Sequence, residues 1–232
     1  MNLTPRSLLG WILLLWLATP AQAADDVTGI WSVFTTTDSF PSDNGNSRWS
    51  YWLDAQVRYV DLDTGANQEV FRPAVGYRVH DNLQVWLGYA RLRTRNAAGS
   101  VSHENRWFQQ ANWTVGEMLG GNVTMRARLL QRNPTTGDDL GLVFRLSTKY
   151  TRALNADASK TFIVNLEPFF DLRDTDWGGD ARLSQGRLYA GMGWRISDKM
   201  ALETGYMNQY LWRDGRRNTS NHLLVLNLKA KF

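Results

Sequence analysis

Residues 122–132, NVTMRARLLQR, alternate two kinds of side chain with a period of two. Val123, Met125, Ala127 and Leu129 fall on one side of an extended strand, and Thr124, Arg126, Arg128, Leu130 and Arg132 on the other, because successive Cβ atoms point to opposite faces. The alternation recurs. Phe144, Leu146 and Tyr150 oppose Arg145, Ser147 and Lys149; Phe162, Val164, Leu166, Pro168 and Phe170 oppose Asn165, Glu167 and Asp171; Leu224, Leu226, Leu228 and Ala230 oppose Asn227, Lys229 and Lys231. Eleven such segments follow one another between clusters of Gly, Asn, Asp and Ser: 30–37, 49–60, 70–79, 83–94, 105–115, 122–132, 141–152, 161–172, 185–196, 200–212 and 221–232. Most reach the length of about 9 to 11 residues that a tilted strand needs to cross a bilayer. A soluble sheet shows one apolar and one charged face here and there. Its recurrence along the chain, without a helical period, predicts an all-β fold, an antiparallel transmembrane β-barrel of about 10 to 12 strands with apolar residues toward lipid and arginines inside.

Connection lengths give an orientation. Residues 197–199, 153–160, 116–121 and 80–82 read as turns, while 173–184, 133–140 and 96–104 read as loops, the pattern of short periplasmic and longer outer connections. Two features strain this order. Residues 38–48 form a long connection on the turn side, and eleven crossings leave the termini on opposite sides. The sequence therefore leaves segment 30–37 inside or beneath a ten-stranded barrel, or one crossing of twelve overlooked.

Residues 1–23 read as a cleavable signal peptide, with Arg6 before an apolar run at 8–17 and Ala21, Gln22 and Ala23 forming a small-x-small cleavage site. The remainder, 24–232, is one domain's worth of chain. Its 11 Trp and 12% aromatic residues suit a barrel, and its mean hydropathy of −0.39 excludes a polytopic helical membrane protein. The absence of cysteine excludes a disulfide framework and a lipoprotein anchor. Net charge +4 would suit nucleic acid, but the cations are spread at strand spacing and the export signal removes them from it.

Side-chain parity sorts the charges. Arg106, Arg126, Arg128, Arg132, Arg145, Arg187 and Arg195 head an inward basic set that also holds Arg58, Arg72, Arg78, Lys149, Lys229 and Lys231. The inward carboxylates are fewer: Asp54, Glu104, Glu167, Asp171 and Glu203. Some arginines must pair with them, since unpaired charge in a confined low-dielectric space is costly. The surplus favours anions and predicts a narrow porin-like channel for small anionic solutes. The alternative is a closed barrel with an envelope-maintenance role, its lumen filled by Arg–carboxylate bridges. Trp49, Trp52, Trp86, Trp107, Trp113, Trp194, Trp212, Tyr59, Tyr77, Tyr89 and Tyr206 read as interfacial girdles, and Pro73 and Pro168 predict a bulge or weak spot in the wall.

The segments ENRWFQQANW (104–113), RARLLQR (126–132), FRLSTKYTRAL (144–154), LEPFFDL (166–172), QGRLYAGMGWRI (185–196), ALETGYMNQY (201–210) and NHLLVLNLKAKF (221–232) resemble a family of proteobacterial exported proteins defined only as a domain of unknown function. The resemblance implies a barrel in the outer membrane of a Gram-negative bacterium and brings no activity. A C-terminal strand ending in Phe232 is similar to the assembly signal of outer-membrane barrels, so the assembly machinery, outer-membrane lipid and lipopolysaccharide are the expected partners. Arg91, Arg93 and Arg95 are candidates to hold lipid phosphates, with ordinary surface charge as the plain alternative. Neither a metal nor another cofactor is expected, because the acidic loop of Asp171, Asp174, Asp176 and Asp180 lacks the spacing of a calcium loop. An enzyme is not expected either. The candidate for a lipid hydrolase is Ser220 with His222, two apart on one lipid-facing side, with the order of nucleophile and base reversed from that usual in barrel lipases.

Overall fold

The computed structural model describes residues 24–42, 47–215 and 217–231. The proposed signal peptide and cleavage site, Arg6, Ala21 to Ala23 included, and Phe232 lie outside the described residues. Eleven strands form one closed barrel, and no helix occurs among the described residues. They are β1 (Ala24–Ser39), β2 (Trp49–Asp61), β3 (Ala66–His80), β4 (Leu83–Arg95), β5 (Val101–Met118), β6 (Gly121–Pro134), β7 (Gly141–Ala153), β8 (Lys160–Asp171), β9 (Leu183–Ser197), β10 (Met200–Leu211) and β11 (Asn218–Ala230).

The strand number is eleven, the number of segments counted in the sequence and within the expected range, and it needs neither a missed crossing nor a segment left out of the wall. Each strand is antiparallel to its sequence neighbour, but β1 closes on β11 in parallel, from Ala24↔Asn218 to Thr36↔Ala230. An odd number of up-and-down strands can close only this way, because the first and last then run in the same direction. The segment left unplaced by the sequence is thus part of the wall, longer than expected because it begins at Ala24. The long connection before β2 starts as a tightening hairpin, with Phe40 N–H donating to the Trp49 carbonyl at 2.9 Å. It shares one end of the barrel with the short turns at 81–82, 119–120 and 198–199. The longer connections at 96–100, 135–140, 172–182 and 212–217 gather at the other. We call these the turn end and the loop end. At 119–120 both central residues have positive φ, Leu119 at 52° and Gly120 at 73°, the mirror-image turn that matches strand twist.

The two faces are inverted relative to a soluble sheet. Phe71 and Leu87 are 55% exposed on the outside, while Arg128 and Glu167 are 1% and 3% exposed on the inside. Closure leaves no free sheet edge along the apolar exterior. The prolines interrupt this ladder without shifting it. Arg72 and Pro73 have no partner on β4, and the β7–β8 pairing skips from Arg145↔Phe169 to Thr148↔Leu166 opposite Pro168. A bulge follows on the β9 side of β8 at Phe169/Phe170.

Candidate functional site

A layer of side chains divides the lumen. Trp52 packs edge-on against Trp86 and Phe108 with ring centroids 6.2 and 5.9 Å apart, and the cluster continues through Ala74, Leu130, Val143 and Phe169. Small wall residues admit these rings: a Cβ on Gly76 would stand 2.6 Å from the Trp86 indole, and one on Gly88 would enter the Phe108 ring. Trp52 and Trp86 were expected in the interfacial girdle. They lie instead on the even face of β2 and β4, the face that also carries Asp54 and Arg58, because a barrel this narrow needs bulky inward groups to fill its waist. Trp49, Tyr59, Trp107 and Tyr206 are exposed on the outer wall.

On either side of this septum lies a chamber, about 850 Å³ toward the loop end and about 620 Å³ toward the turn end, with no lining residue in common. Arg58, Arg72, Arg106, Arg132, Arg145 and Arg187 line the first; Arg126 and Lys149 line the second. Arg128 lines neither. It is buried in the septum with its guanidinium carbon 4.4 Å from the Phe108 ring centroid and 5.3 Å from that of Trp52. Arg195 stands apart at the turn-end rim, where its Nη2 donates to the Asp157 carbonyl at 2.6 Å. The neighbouring Asp157 carboxyl is held below the usual range by the Ser159 backbone and side chain, helped by Arg195.

The interior arginines keep two kinds of company. One kind is tied to carboxylate. Glu104 accepts two-pronged bonds from Arg106 (2.7 and 2.7 Å) and from Arg132 (2.6 and 3.2 Å). Glu167 accepts from Arg145 at 2.8 Å on each oxygen and from Arg126 at 2.5 Å. Asp54 stands 3.6 Å from Arg72. Glu203 serves Lys149 at 3.3 Å and Lys229, and Asp171 is held by Ser184 at the loop-end chamber.

The other kind is held by glutamine. Arg58 donates from Nε to Gln56 at 2.7 Å and from Nη1 to Gln68 at 2.8 Å. Arg128 donates from Nε to Gln110 at 2.6 Å, and from Nη2 to the same oxygen. Arg187 donates from Nε and Nη2 to the Gln185 oxygen at 2.6 and 3.0 Å once that amide takes the orientation its neighbours require. A neutral amide oxygen orients a guanidinium without cancelling its charge. Arg58 and Arg187 both stack on Trp31, at 4.3 and 4.8 Å, and Arg187 and Arg145 both stack on Phe169, at 4.6 and 4.1 Å. Sequence reasoning missed Trp31 and the glutamines, since a charge count passes over neutral partners.

The connection 172–182 folds onto the loop end. Asp176 accepts the backbone N–H groups of Asp138 (2.9 Å) and Asp139 (3.2 Å), which hold its carboxyl below the usual range. Trp177 donates to the Asp139 carbonyl at 2.8 Å and lies under the Arg132 guanidinium at 4.7 Å. Asp174 accepts from Ala181 N–H at 2.8 Å and Asp180 faces Arg182 at 3.5 Å, so these acids serve the loop's own fold.

On the outer wall Ser220 and His222 do meet, at 3.4 Å from Oγ to Nε2, but the same Nε2 lies 3.1 Å from Asp26. A carboxylate only accepts, so Nε2 carries the proton toward Asp26, and Nδ1 accepts the Tyr206 hydroxyl at 2.6 Å. In that tautomer the lone pair is on Nδ1 and is taken by Tyr206, and Nε2, which faces Ser220, has none for the serine proton. Arg91, Arg93 and Arg95 lie on the outward face of β4 near the loop end, with Arg91 bonded to Asn105 at 3.2 Å and Arg93 paired with Glu69 at 3.2 Å.

Residues 28–221 match the family described as protein of unknown function DUF2490. The chain belongs to the DUF2490 family. An uncharacterized protein of Methylorubrum extorquens is similar to this DUF2490 chain, 33% identical over 184 residues that cover 79% of this chain and 81% of that protein. No solved structure matches it.

Proposed function

We propose that this protein is an outer-membrane β-barrel of the Gram-negative envelope, loop end outward, and that it is a narrow pore for small anionic solutes, closed at rest by the septum. An apolar exterior with exposed Trp and Tyr supports the membrane, and the two-residue turns at 81–82, 119–120 and 198–199, all at one end although 40–48 and 154–159 share it, support the polarity. Arg91, Arg93 and Arg95 suit the phosphates of lipopolysaccharide at that level. The observation that carries the transport reading is the pair of basic chambers separated by side chains alone, because side chains change rotamer whereas a wall strand does not. Inward guanidiniums in excess of carboxylates favour anions.

Planar-bilayer recording tests it. Wild type opens rarely, and Trp52→Ala with Arg128→Ala, which removes two large side chains from the septum, conducts with a reversal potential that favours anions. A silent septum variant would instead support a second reading, a closed barrel with an envelope-maintenance role. That reading is favoured by the density of Arg–Glu and aromatic contacts at the waist.

A further inference from the structure

We infer that Arg58 and Arg187, set beside Trp31 on the wall of the loop-end chamber, form the binding site for an organic oxyanion, a carboxylate or a phosphate ester, and that the carboxylate-tied arginines of the same chamber are structural. The inference rests on the anion reading above and names the residues and ligand class within it.

Arginine does not lose its proton in a protein, so charge left unmatched in the lumen must be matched by something that enters it. The carboxylates of this region are already occupied. Glu104 takes both Arg106 and Arg132, and Glu167 takes Arg126 and Arg145. Glu167 makes only a long ion pair with Arg187, 3.9 Å from Nη1, while it holds Arg126 and Arg145 at hydrogen-bond distance, and Arg58 has no carboxylate within 4.0 Å among the described residues. The glutamines leave a second mark. They take Nε and Nη1 of Arg58 and Nε and Nη2 of Arg187, so each guanidinium keeps one amino group, Nη2 and Nη1 respectively, without a hydrogen-bond acceptor among the described residues.

These glutamines are themselves aimed. The Gln56 amide donates to Asp54 at 2.6 Å and that of Gln68 to Thr94 at 2.9 Å, which turns both oxygens toward Arg58. The Trp31 indole Nε1 also has no acceptor among the described residues, but it is buried, so the two guanidiniums beside that ring carry the site. Oriented guanidiniums with charge to spare, Arg58 without a carboxylate and Arg187 sharing Glu167 with two closer arginines, around a polar cavity of about 850 Å³ are what an oxyanion-bearing solute requires. The Trp31 and Phe169 faces are covered by guanidiniums, so the ligand is held by its charge and not by ring stacking.

Titration calorimetry on the detergent-solubilised protein tests this with gluconate, glucose 6-phosphate, inorganic phosphate and glucose. Wild type binds gluconate or glucose 6-phosphate and ignores glucose, and the preference between the two identifies carboxylate or phosphate as the oxyanion. Arg58→Gln and Arg187→Gln each weaken binding about tenfold or more, the scale of a charge-assisted bond, while Arg106→Gln in the same chamber changes it less than about threefold. Heat-modifiable mobility on gels reports folding. Should a glutamine variant misfold, Arg58→Lys, which keeps the charge and loses the planar fork, must still weaken binding. Equal weakening by Arg106→Gln, or intact binding in both glutamine variants, overturns the site and leaves the anion reading standing. Wild type that binds inorganic phosphate alone overturns the organic ligand, and wild type that binds no anion overturns both.

Discussion

At the waist Arg126, from the turn-end chamber, and Arg145, from the loop-end chamber, close on Glu167, whereas Arg58 and Arg187 on the loop-end wall are held by the amide oxygens of Gln56, Gln68 and Gln185. The side chain is the same, and Arg145 stacks on Phe169 as Arg58 stacks on Trp31. What differs is the charge of the partner. A carboxylate neutralises the guanidinium and fixes the waist; an amide fixes its direction and leaves its charge for a visitor. The lumen is thus divided by chemistry as well as by packing.

The largest effect should come from Glu167→Gln. It strips Arg126 and Arg145 of their shared carboxylate, and losing one partner of a buried pair costs about 3 to 5 kcal/mol. Urea unfolding followed by heat-modifiable mobility would read it, and a wild-type midpoint would mean that Glu167 is not what holds the waist. Gly88→Ala comes next, at about 1 to 3 kcal/mol, because the new methyl meets Phe108 and the wall at Ala74 gives it no room. Its anion affinity should stay unchanged, which separates packing at the waist from binding beside it. Arg58→Gln should keep stability within about 1 kcal/mol of wild type, since it removes an unmatched charge, not one half of a pair. A loss as large as that of Glu167→Gln would erase the distinction between the two kinds of arginine.

The smallest effect concerns the cover of the loop end. The Asp176 carboxyl sits below its ordinary value because Asp138 and Asp139 N–H groups bind its charged form. A depressed value in the folded state means that the docking contribution is present above the unfolded carboxylate value and is lost as pH falls through the folded one. Amide exchange of residues 172–182 should therefore stay slow at neutral pH and rise only in acid. Asp176→Asn should show the fast exchange already at neutral pH.

Much of the wall was legible in advance. Parity alone put Asp54, Glu104, Glu167, Arg128 and Arg187 on one side of their strands, and the structure has each of them buried or half-buried on that side. Trp52 and Trp86 had the same parity and were assigned by residue type to the girdle, where the inner volume of the barrel needed them more. Segment 30–37 stays open in the sequence for a different reason: a strand pattern says nothing about whether its partner runs parallel, and Trp31 goes unnoticed with it.

The period-two alternation by itself determined that this chain makes a barrel wall with an apolar outside and a basic inside, because which face a strand residue takes depends only on its neighbours in sequence. The tertiary structure alone decided the rest. Whether Arg145 finds Glu167, whether Arg58 finds only glutamine, and whether Trp52 meets Phe108 depend on the stagger and closure of strands far apart in the chain, and the parallel β1–β11 seam sets that closure.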